Sequence, residues 1–340
     1  MDVDRRAEVW QDAAQATTLV RGQEGGSAVM TAAPETDRTH QGVARIICWA
    51  NDKGGVGKTS CTTNCAAQFS FNGFKVLIVD LNNQGNAVYD LGCKDSDIND
   101  QGANLAKAVM FGDALAPRKV PGRENLYIIP GGNHLANLPF NIISNKSTQG
   151  AKANLALRNA LLPIAGEFDL IFIDTPPENL TMLDLALATS RWLMIPTRTD
   201  AASIGGMERV AQRFVEARQV NPHLRLMGAV LFATGRGAKA IHAKAYRKIE
   251  RAFGGNSPAF RAFIGYSEAL AQEARNDGKL AHELEALAAE QPAWWKALKD
   301  RADGKDIKRV PSTATNVSSD YSNVCVEMID IITAAEETAR

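Results

Sequence analysis

A glycine-rich segment, Lys-Gly-Gly-Val-Gly-Lys-Thr, lies at positions 53–59 and limits the folds that this chain can adopt. An apolar run at 44–50 precedes it, and a stretch with helical character, 58–72, begins within it. Glycines allow a sharp turn, and a turn at a helix start aims consecutive N–H groups and the positive end of the helix dipole at one point. The sequence therefore predicts a strand, an anion-binding loop and a helix in succession.

The other residue types of this loop indicate that the anion is a nucleotide phosphate chain. At this spacing Lys58 would reach the β and γ phosphates, and the Thr59 hydroxyl would ligate Mg²⁺. Backbone N–H groups would surround the remaining phosphate oxygens. We predict that the phosphates are bound by Gly54, Gly55, Val56, Gly57, Lys58, Thr59 and Ser60.

The rest of the chain alternates short apolar runs with helical stretches, which predicts an α/β fold. The runs are typical of fully buried strands, and helices between them imply right-handed crossovers. We expect a doubly wound, mainly parallel sheet flanked by helices on both faces, with ligands at the carboxyl ends of the strands. The predicted strands are 44–50, 75–80, 126–130, 169–174, 192–196 and 226–232, and the predicted helices include 58–72, 151–162 and 203–220.

Changes in composition predict four parts along the chain. Residues 1–42 are polar with seven acids against four bases and little periodicity, which indicates a mobile tail, and 43–290 form the α/β domain. Residues 291–320 form an extension with a tryptophan pair, Trp294-Trp295, which we interpret as a cover for the domain or an anchor for a partner. A closing helix at 321–340 would pack on the domain through Val324, Met328, Ile331 and Ala335.

Charge and cysteine content exclude several classes of protein. The chain has 38 basic and 38 acidic residues, so any binding to nucleic acid or membrane must be local. It has five cysteines without a Cys-x-x-Cys pair, which indicates reduced thiols rather than a zinc site. No apolar run is long enough to span a membrane and the N-terminus does not resemble a signal peptide, so we expect a cytoplasmic protein.

One departure from the plain phosphate-loop pattern is itself recognisable. Asp52 occupies the position of the first glycine, and Lys53 directly precedes the glycines. The segment 51–60 resembles the deviant Walker A motif of the ParA/MinD ATPase family. The resemblance implies ATP as the nucleotide and a sandwich homodimer in which Lys53 contacts phosphate in the partner subunit.

Other segments resemble the same family in the same order, from about 44 to 290 and again at 321–339. Residues 168–177 resemble its Walker B strand, which implies that Asp174 holds the Mg²⁺ shell together with Thr59. Segments 195–207 and 267–278 resemble family regions near the last strands. Many ParA proteins carry DNA-contacting arginines near the start of the second of these segments, where this chain has Ser267 and Leu270, so those contacts do not transfer.

The family pattern Asp-x-Asp-Pro-Gln-Gly-Asn is altered after the second strand. Asp80 matches, and the resemblance places it near the Mg²⁺ waters, but the second Asp is Asn82 here. An amide can orient the attacking water but is not basic at neutral pH. Two hypotheses follow: Asn82 makes hydrolysis slow, or it substitutes without loss because the reaction depends on positioning. With Lys53 and Lys58, Asn82 completes the predicted catalytic set.

A basic helix is the candidate DNA-binding surface, since ParA-type dimers bind DNA nonspecifically through basic residues. Helical spacing places Lys244, Lys248 and Arg251 on one face with Arg247 beside it. Such a stripe suits salt-sensitive contacts to phosphates. The alternative is an ordinary solvated helix face.

The resemblance implies a ParA-like partition ATPase that acts in plasmid, phage or chromosome segregation, associates with the nucleoid and is stimulated by a ParB-like partner. The alternative is an ATP-gated scaffolding or positioning protein that acts on a protein cargo or membrane with little hydrolysis. A MinD-like membrane role is disfavoured, because a basic amphipathic terminal helix is expected for it and 327–340 has four acids and a single Arg. We therefore predict no membrane partner.

Overall fold

The computed structural model describes residues 43–252, 259–267, 272, 277–290 and 313–339. In this part of the chain one sheet contains seven strands in the order β3-β4-β2-β5-β1-β6-β7. All neighbouring strands pair in parallel except β3 and β4. The strands are β1 (Ile46–Trp49), β2 (Val76–Asp80), β3 (Arg118–Lys119), β4 (Leu126–Ile129), β5 (Leu170–Asp174), β6 (Trp192–Thr197) and β7 (Arg225–Leu231).

Helices cover both faces of this sheet, which confirms the predicted doubly wound architecture. Alternate residues of β1 show the two cores, because Ile47 and Trp49 face one and Ile46 and Cys48 face the other. The helices are α1 (Lys58–Phe71), α2 (Asn86–Asp90), α3 (Ala103–Phe111), α4 (Leu138–Gln149), α5 (Ala156–Ala165), α6 (Leu180–Thr189), α7 (Ala201–Ala217), α8 (Lys239–Ala252), α9 (Ala281–Ala289) and α10 (Thr313–Ala339). Residues of α1, α9 and α10 belong to the first core, and those of α3 to α8 belong to the second.

Several elements differ from the sequence-based expectation. The predicted helix 151–162 begins as a 3₁₀ turn, Gly150–Leu155, and only α5 is α-helical. The edge strand β3 was not predicted because its two residues, Arg118 and Lys119, are exposed and form no apolar run. The short helix α2 was likewise absent from the prediction.

The closing helix begins at Thr313, well before the predicted start at residue 321. Its first turns look polar in sequence, but Asp320 is buried and accepts hydrogen bonds from Gly265 N at 2.8 Å and Arg236 at 2.6 Å. Tertiary partners therefore stabilise a segment that apolar periodicity does not reveal. On the predicted packing face, Val324 and Met328 are buried and Ile331 and Ala335 pack against the same core.

Three sequence predictions lie outside the described residues: the tail 1–42, the pair Trp294-Trp295 and most of the segment 267–278. All five cysteines are buried and unpaired. In the described part of the chain, no helix combines the length and apolar character needed to cross a membrane.

Candidate active site

The predicted site residues meet at the carboxyl edge of the sheet. The glycine-rich loop joins β1 to α1, Asp80 ends β2, and Asp174 ends β5. Asp174 pairs in register with Trp49 on one side and Asp80 on the other. The central position of β5 therefore brings both carboxylates next to the loop.

Two glycines give the loop its shape. Gly55 and Gly57 have φ angles of 72° and 90°, which L side chains rarely adopt. A Cβ on Gly57 would also lie 2.5 Å from the ring of Phe232, the residue that follows β7. Because Gly57 caps α1 without a side-chain hydrogen bond, the first N–H groups of the helix remain available to an anion.

Contacts with α7 hold the start of the loop. Asn51 donates from Nδ2 to the carbonyl groups of Pro196 at 2.9 Å and Ser203 at 3.3 Å, and its Oδ1 accepts from Lys53 N at 3.0 Å. Asp52 forms an ion pair with Arg209 of α7. Sequence reasoning missed the roles of Asn51 and Arg209, because residues so far apart in the chain carry no shared pattern.

Lys58 lies inside the loop with only 6% of its surface exposed. Its Nζ donates to the carbonyl oxygens of Asn51 and Lys53, each at 2.9 Å. Burial lowers the pKa of Lys58 to about 8, although the nearby carboxylates of Asp174 and Asp52 oppose the shift. An anion in the loop would stabilise the charged form of this ammonium group. The predicted second lysine, Lys53, is half-buried at the same loop.

Thr59 and Asp174 form the candidate metal site. The Thr59 hydroxyl donates to Asp174 Oδ2 at 2.6 Å, whereas Asp174 Oδ1 is buried and has no hydrogen-bond partner. Burial raises the pKa of Asp174 to about 7, and the Thr59 hydrogen bond partly opposes this. A buried carboxylate oxygen without a partner beside a hydroxyl fits the oxygen ligands that Mg²⁺ requires.

Asp80 and Asn82 shape the neighbouring turn. Asp80 is fully buried, and its two oxygens accept from Asn82 N at 2.8 Å and Ala87 N at 3.1 Å. Burial and the adjacent Asp174 raise the pKa of Asp80 well above its ordinary value. The Asn82 side-chain oxygen accepts from Gln84 N at 3.0 Å, so part of its hydrogen-bonding capacity is used within the turn.

A cleft of about 570 Å³ lies over these groups. Its walls come from the glycine-rich loop, the start of α1, the turn after β2, helix α2 and the residues after β5. Lys58, Thr59 and Ser60 line this cleft, and Asp174 and Asp80 lie buried against its lining residues Thr59 and Asn82. The arrangement can bind a phosphate chain together with a divalent cation.

The predicted basic stripe is present on α8. Lys244, Arg247 and Arg251 are exposed and Lys248 is half-buried, while Ala245 and Ile249 on the opposite side are buried. None of the four basic side chains makes an ion pair with another residue that the structure describes. By contrast, Arg236, just before α8, is paired with Asp320.

Comparison with known sequences identifies relatives of the chain. A family profile described as an AAA domain matches residues 44–226. The chromosome partitioning protein ParA of Myxococcus xanthus is 31% identical over 206 residues, which are 59% of this chain and 69% of the relative. Protein IncC of Escherichia coli is 30% identical over 57% of this chain and 51% of its own length. The sporulation initiation inhibitor Soj of Bacillus subtilis is 29% identical over 56% of this chain and 72% of its length.

Solved structures share the fold at low sequence identity. An ATP complex of a McdA variant from Cyanothece has a TM-score of 0.60 at 20% identity and covers 78% of this chain and 98% of that chain. A Borrelia burgdorferi protein described as a plasmid partition protein, bound to AMPPNP, has a TM-score of 0.59 at 18% identity and covers 86% of this chain and 99% of that chain.

Proposed function

The chain belongs to the ParA/MinD family of P-loop ATPases, and from this premise we propose that it is a ParA-like partition ATPase. In this proposal ATP and Mg²⁺ drive a homodimer that binds DNA without sequence preference, and a ParB-like partner stimulates hydrolysis. The protein would then act in plasmid, phage or chromosome segregation and associate with the nucleoid in the cytoplasm.

The observation that carries the proposal is the arrangement of Lys58, Thr59 and Asp174 around the loop. Phosphate oxygens would replace the two carbonyl groups that now accept from Lys58 Nζ. Thr59 and Asp174 would hold Mg²⁺, with Asp80 in contact through water. When bound, the ion neutralises charge on the phosphates.

Lys53 would connect the nucleotide to dimerisation. Its backbone is held by Asn51, which is itself anchored to β6 and α7. The ammonium group of Lys53 would then contact phosphate in the partner subunit, as the family motif implies. Two lysines on one triphosphate stabilise the charge that develops as the terminal phosphoryl group leaves.

Asn82 would orient the attacking water without acting as a base. Removal of a catalytic base typically lowers a rate about 10²- to 10⁴-fold, so we propose slow hydrolysis and a long-lived ATP state. Asn82→Asp should raise the steady-state ATP turnover at least about tenfold on this reasoning. The exposed neighbour supplies the matched control, Asn83→Asp, which should not change turnover. Equal turnover of Asn82→Asp and wild type would favour the neutral substitution instead.

The basic face of α8 would contact DNA phosphates. Its exposed cations have no ion-pair partners among the described residues, so they remain available to a polyanion. Helix α8 follows β7 through a short connection that begins at Phe232, which lies against Gly57 of the loop. This proximity gives nucleotide binding a physical route to the helix.

The test is a salt-titrated anisotropy assay on nonspecific duplex DNA, with no nucleotide, with ADP, and with ATP plus Mg²⁺. We expect binding in the ATP state alone, and its loss in Lys53→Ala. The control is Lys119→Ala, which removes an exposed lysine from the edge strand β3 and should bind like wild type. Absence of DNA binding in every state would overturn the partition role.

The second candidate function is an ATP-gated scaffold or positioning protein that acts on a protein cargo or membrane with little hydrolysis. Asn82 favours it, because a module that needs only the ATP-bound state does not require a base. An ATP-dependent dimer that binds no DNA at any salt concentration would support this candidate.

A further inference from the structure

The wall of the nucleotide cleft contains an acidic side chain that the proposed mechanism does not use. Asp90, the last residue of α2, lines the cleft together with Thr59, Ser60, Asn82 and Thr175. It is the one acidic residue among the described residues that line the cleft wall. A carboxylate here would repel a triphosphate unless a cation or water lay between them.

The other two carboxylates at the site are differently engaged. Each oxygen of Asp80 already accepts one hydrogen bond from a backbone N–H group, and Oδ2 of Asp174 accepts one from the Thr59 hydroxyl. Only Asp174 Oδ1 is buried without a partner, and it marks the place where a cation fits. Burial is the main cause of the raised pKa of Asp80 and of Asp174, and the charge of Asp90 adds a smaller increase to each, so it acts on the same small region.

Helix α1 places Asp90 near the metal-binding side of the cleft. The Thr63 hydroxyl donates to the Thr59 carbonyl oxygen at 3.0 Å and also lies 3.5 Å from Asp90 Oδ2. Thr63 lies one turn after Thr59 on α1, and residues four apart share a helix face. The carboxylate of Asp90 therefore lies beside the face of α1 that carries the candidate metal ligand.

We propose that Asp90 is a positioning residue for the hydrated Mg²⁺ of the ATP complex, accepting hydrogen bonds from metal-bound water and supplying from α2 the negative charge that Asn82 lacks. This inference rests on the proposed function, because it requires that the cleft binds ATP with Mg²⁺. Asp90 acts through water, so it orients the metal shell and does not contact the reacting atoms.

The test is the Mg²⁺ affinity of the complex with a non-hydrolysable ATP analogue, measured by analogue binding across a Mg²⁺ titration. Loss of an outer-shell partner typically weakens metal affinity 10- to 100-fold, so Asp90→Asn should weaken it about tenfold. Affinity for the analogue without Mg²⁺ should stay the same or increase, because a repulsive charge is removed. A purely structural role for Asp90 would not separate these two affinities.

Three further variants make the result specific. Asp95→Asn removes an exposed charge nearby in the chain and should leave Mg²⁺ affinity unchanged. Asp90→Glu keeps the charge and should retain most of the affinity. Asn82→Asp in the Asp90→Asn background should restore it, because the carboxylate returns to the same region from the other side of the turn.

The possible outcomes separate this inference from the proposed function. Wild-type Mg²⁺ affinity in Asp90→Asn, with an unchanged melting temperature, would overturn the role of Asp90 and leave nucleotide binding intact. An equal loss in Asp95→Asn would overturn it too, because the effect would be one of general charge. Failure of the wild-type protein to bind the analogue would refute the proposed function and this inference together.

Discussion

The cleft at the glycine-rich loop and the basic face of α8 both carry positive charge, but in opposite physical states. Lys58 in the cleft is almost fully buried and held by two hydrogen bonds of 2.9 Å. Lys244, Arg247 and Arg251 on α8 are exposed, without ion pairs to other described residues. The first arrangement is held by hydrogen bonds within the protein, whereas the second is a solvated surface.

The difference follows from what each region is proposed to bind. A triphosphate must be held in one geometry for chemistry, so the energetic cost of ordering its ligands is met during folding. Binding to DNA without sequence preference requires charge at roughly the right spacing, and counterion release supplies most of the affinity. Preorganisation therefore distinguishes the buried lysine of the cleft from the exposed basic residues of α8.

The largest effect is expected for a lysine substitution in the cleft, and the same substitution on α8 is its control. Lys58→Met removes the ammonium group while keeping most of its volume, and we expect ATP turnover to fall about 10²- to 10³-fold, because a preorganised charge at the phosphates is lost. Lys244→Met should leave turnover unchanged. An ATPase assay with both variants checks this prediction. Similar turnover in the two variants would show that the buried lysine is no more important for hydrolysis than the exposed one.

The next effect concerns the backbone of the loop. Gly57→Ala should greatly weaken nucleotide binding, because the new Cβ would lie 2.5 Å from Phe232 at a φ of 90°. Gly55→Ala is the matched control, since its φ is also positive but nothing lies within 4 Å of its Cβ. Gly55→Ala should weaken nucleotide binding less than Gly57→Ala does. Backbone strain alone should lower its free energy of unfolding by about 1 kcal/mol. Equal nucleotide affinities in the two variants, measured by titration, would show that the Phe232 contact is unimportant.

A smaller effect is expected on α8. The slope of the logarithm of the DNA-binding constant against the logarithm of salt concentration should become about one unit less steep in Lys244→Ala and in Arg251→Ala. Each variant loses one contact to a DNA phosphate. Basal ATP turnover should not change. Lys107→Ala, an exposed lysine on α3, serves as the control and should keep the wild-type slope. If the slope is insensitive to both α8 variants, the DNA surface lies elsewhere.

The smallest effect should come from the ion pair between Asp52 and Arg209. Arg209 is 55% exposed, so this pair resembles the α8 surface more than the buried cleft, although it lies beside the loop. Arg209→Ala should lower the free energy of unfolding by no more than about 1 kcal/mol. Urea unfolding of Arg209→Ala, Asp52→Asn and the double variant measures the coupling. A coupling well above this value would mean that the pair belongs to the preorganised site.

Much of the cleft could be predicted from local pattern. The apolar runs that became β1, β2 and β5 are continuous, and the residue types of 53–59 specify a turn before a helix. Thr59, Asp80, Asn82 and Asp174 consequently lie together at the carboxyl edge of the sheet, as expected. Their chemical roles stay predictions until the variants above are measured. Arg209 and Asp90 could not be found in this way, because their importance depends on contacts between distant segments.

Local sequence specifies the α/β class, the strand-loop-helix at residues 46–71 and the amphipathic character of α8, since these depend on neighbouring residues and their periodicity. Long-range packing places β5 between β1 and β2, which brings the carboxylates of Asp80 and Asp174 side by side. It also decided that α10 starts at Thr313, because buried polar contacts of Asp320 stabilise its early turns. Strand order and polar burial depend on long-range packing energies, which no local window of sequence contains.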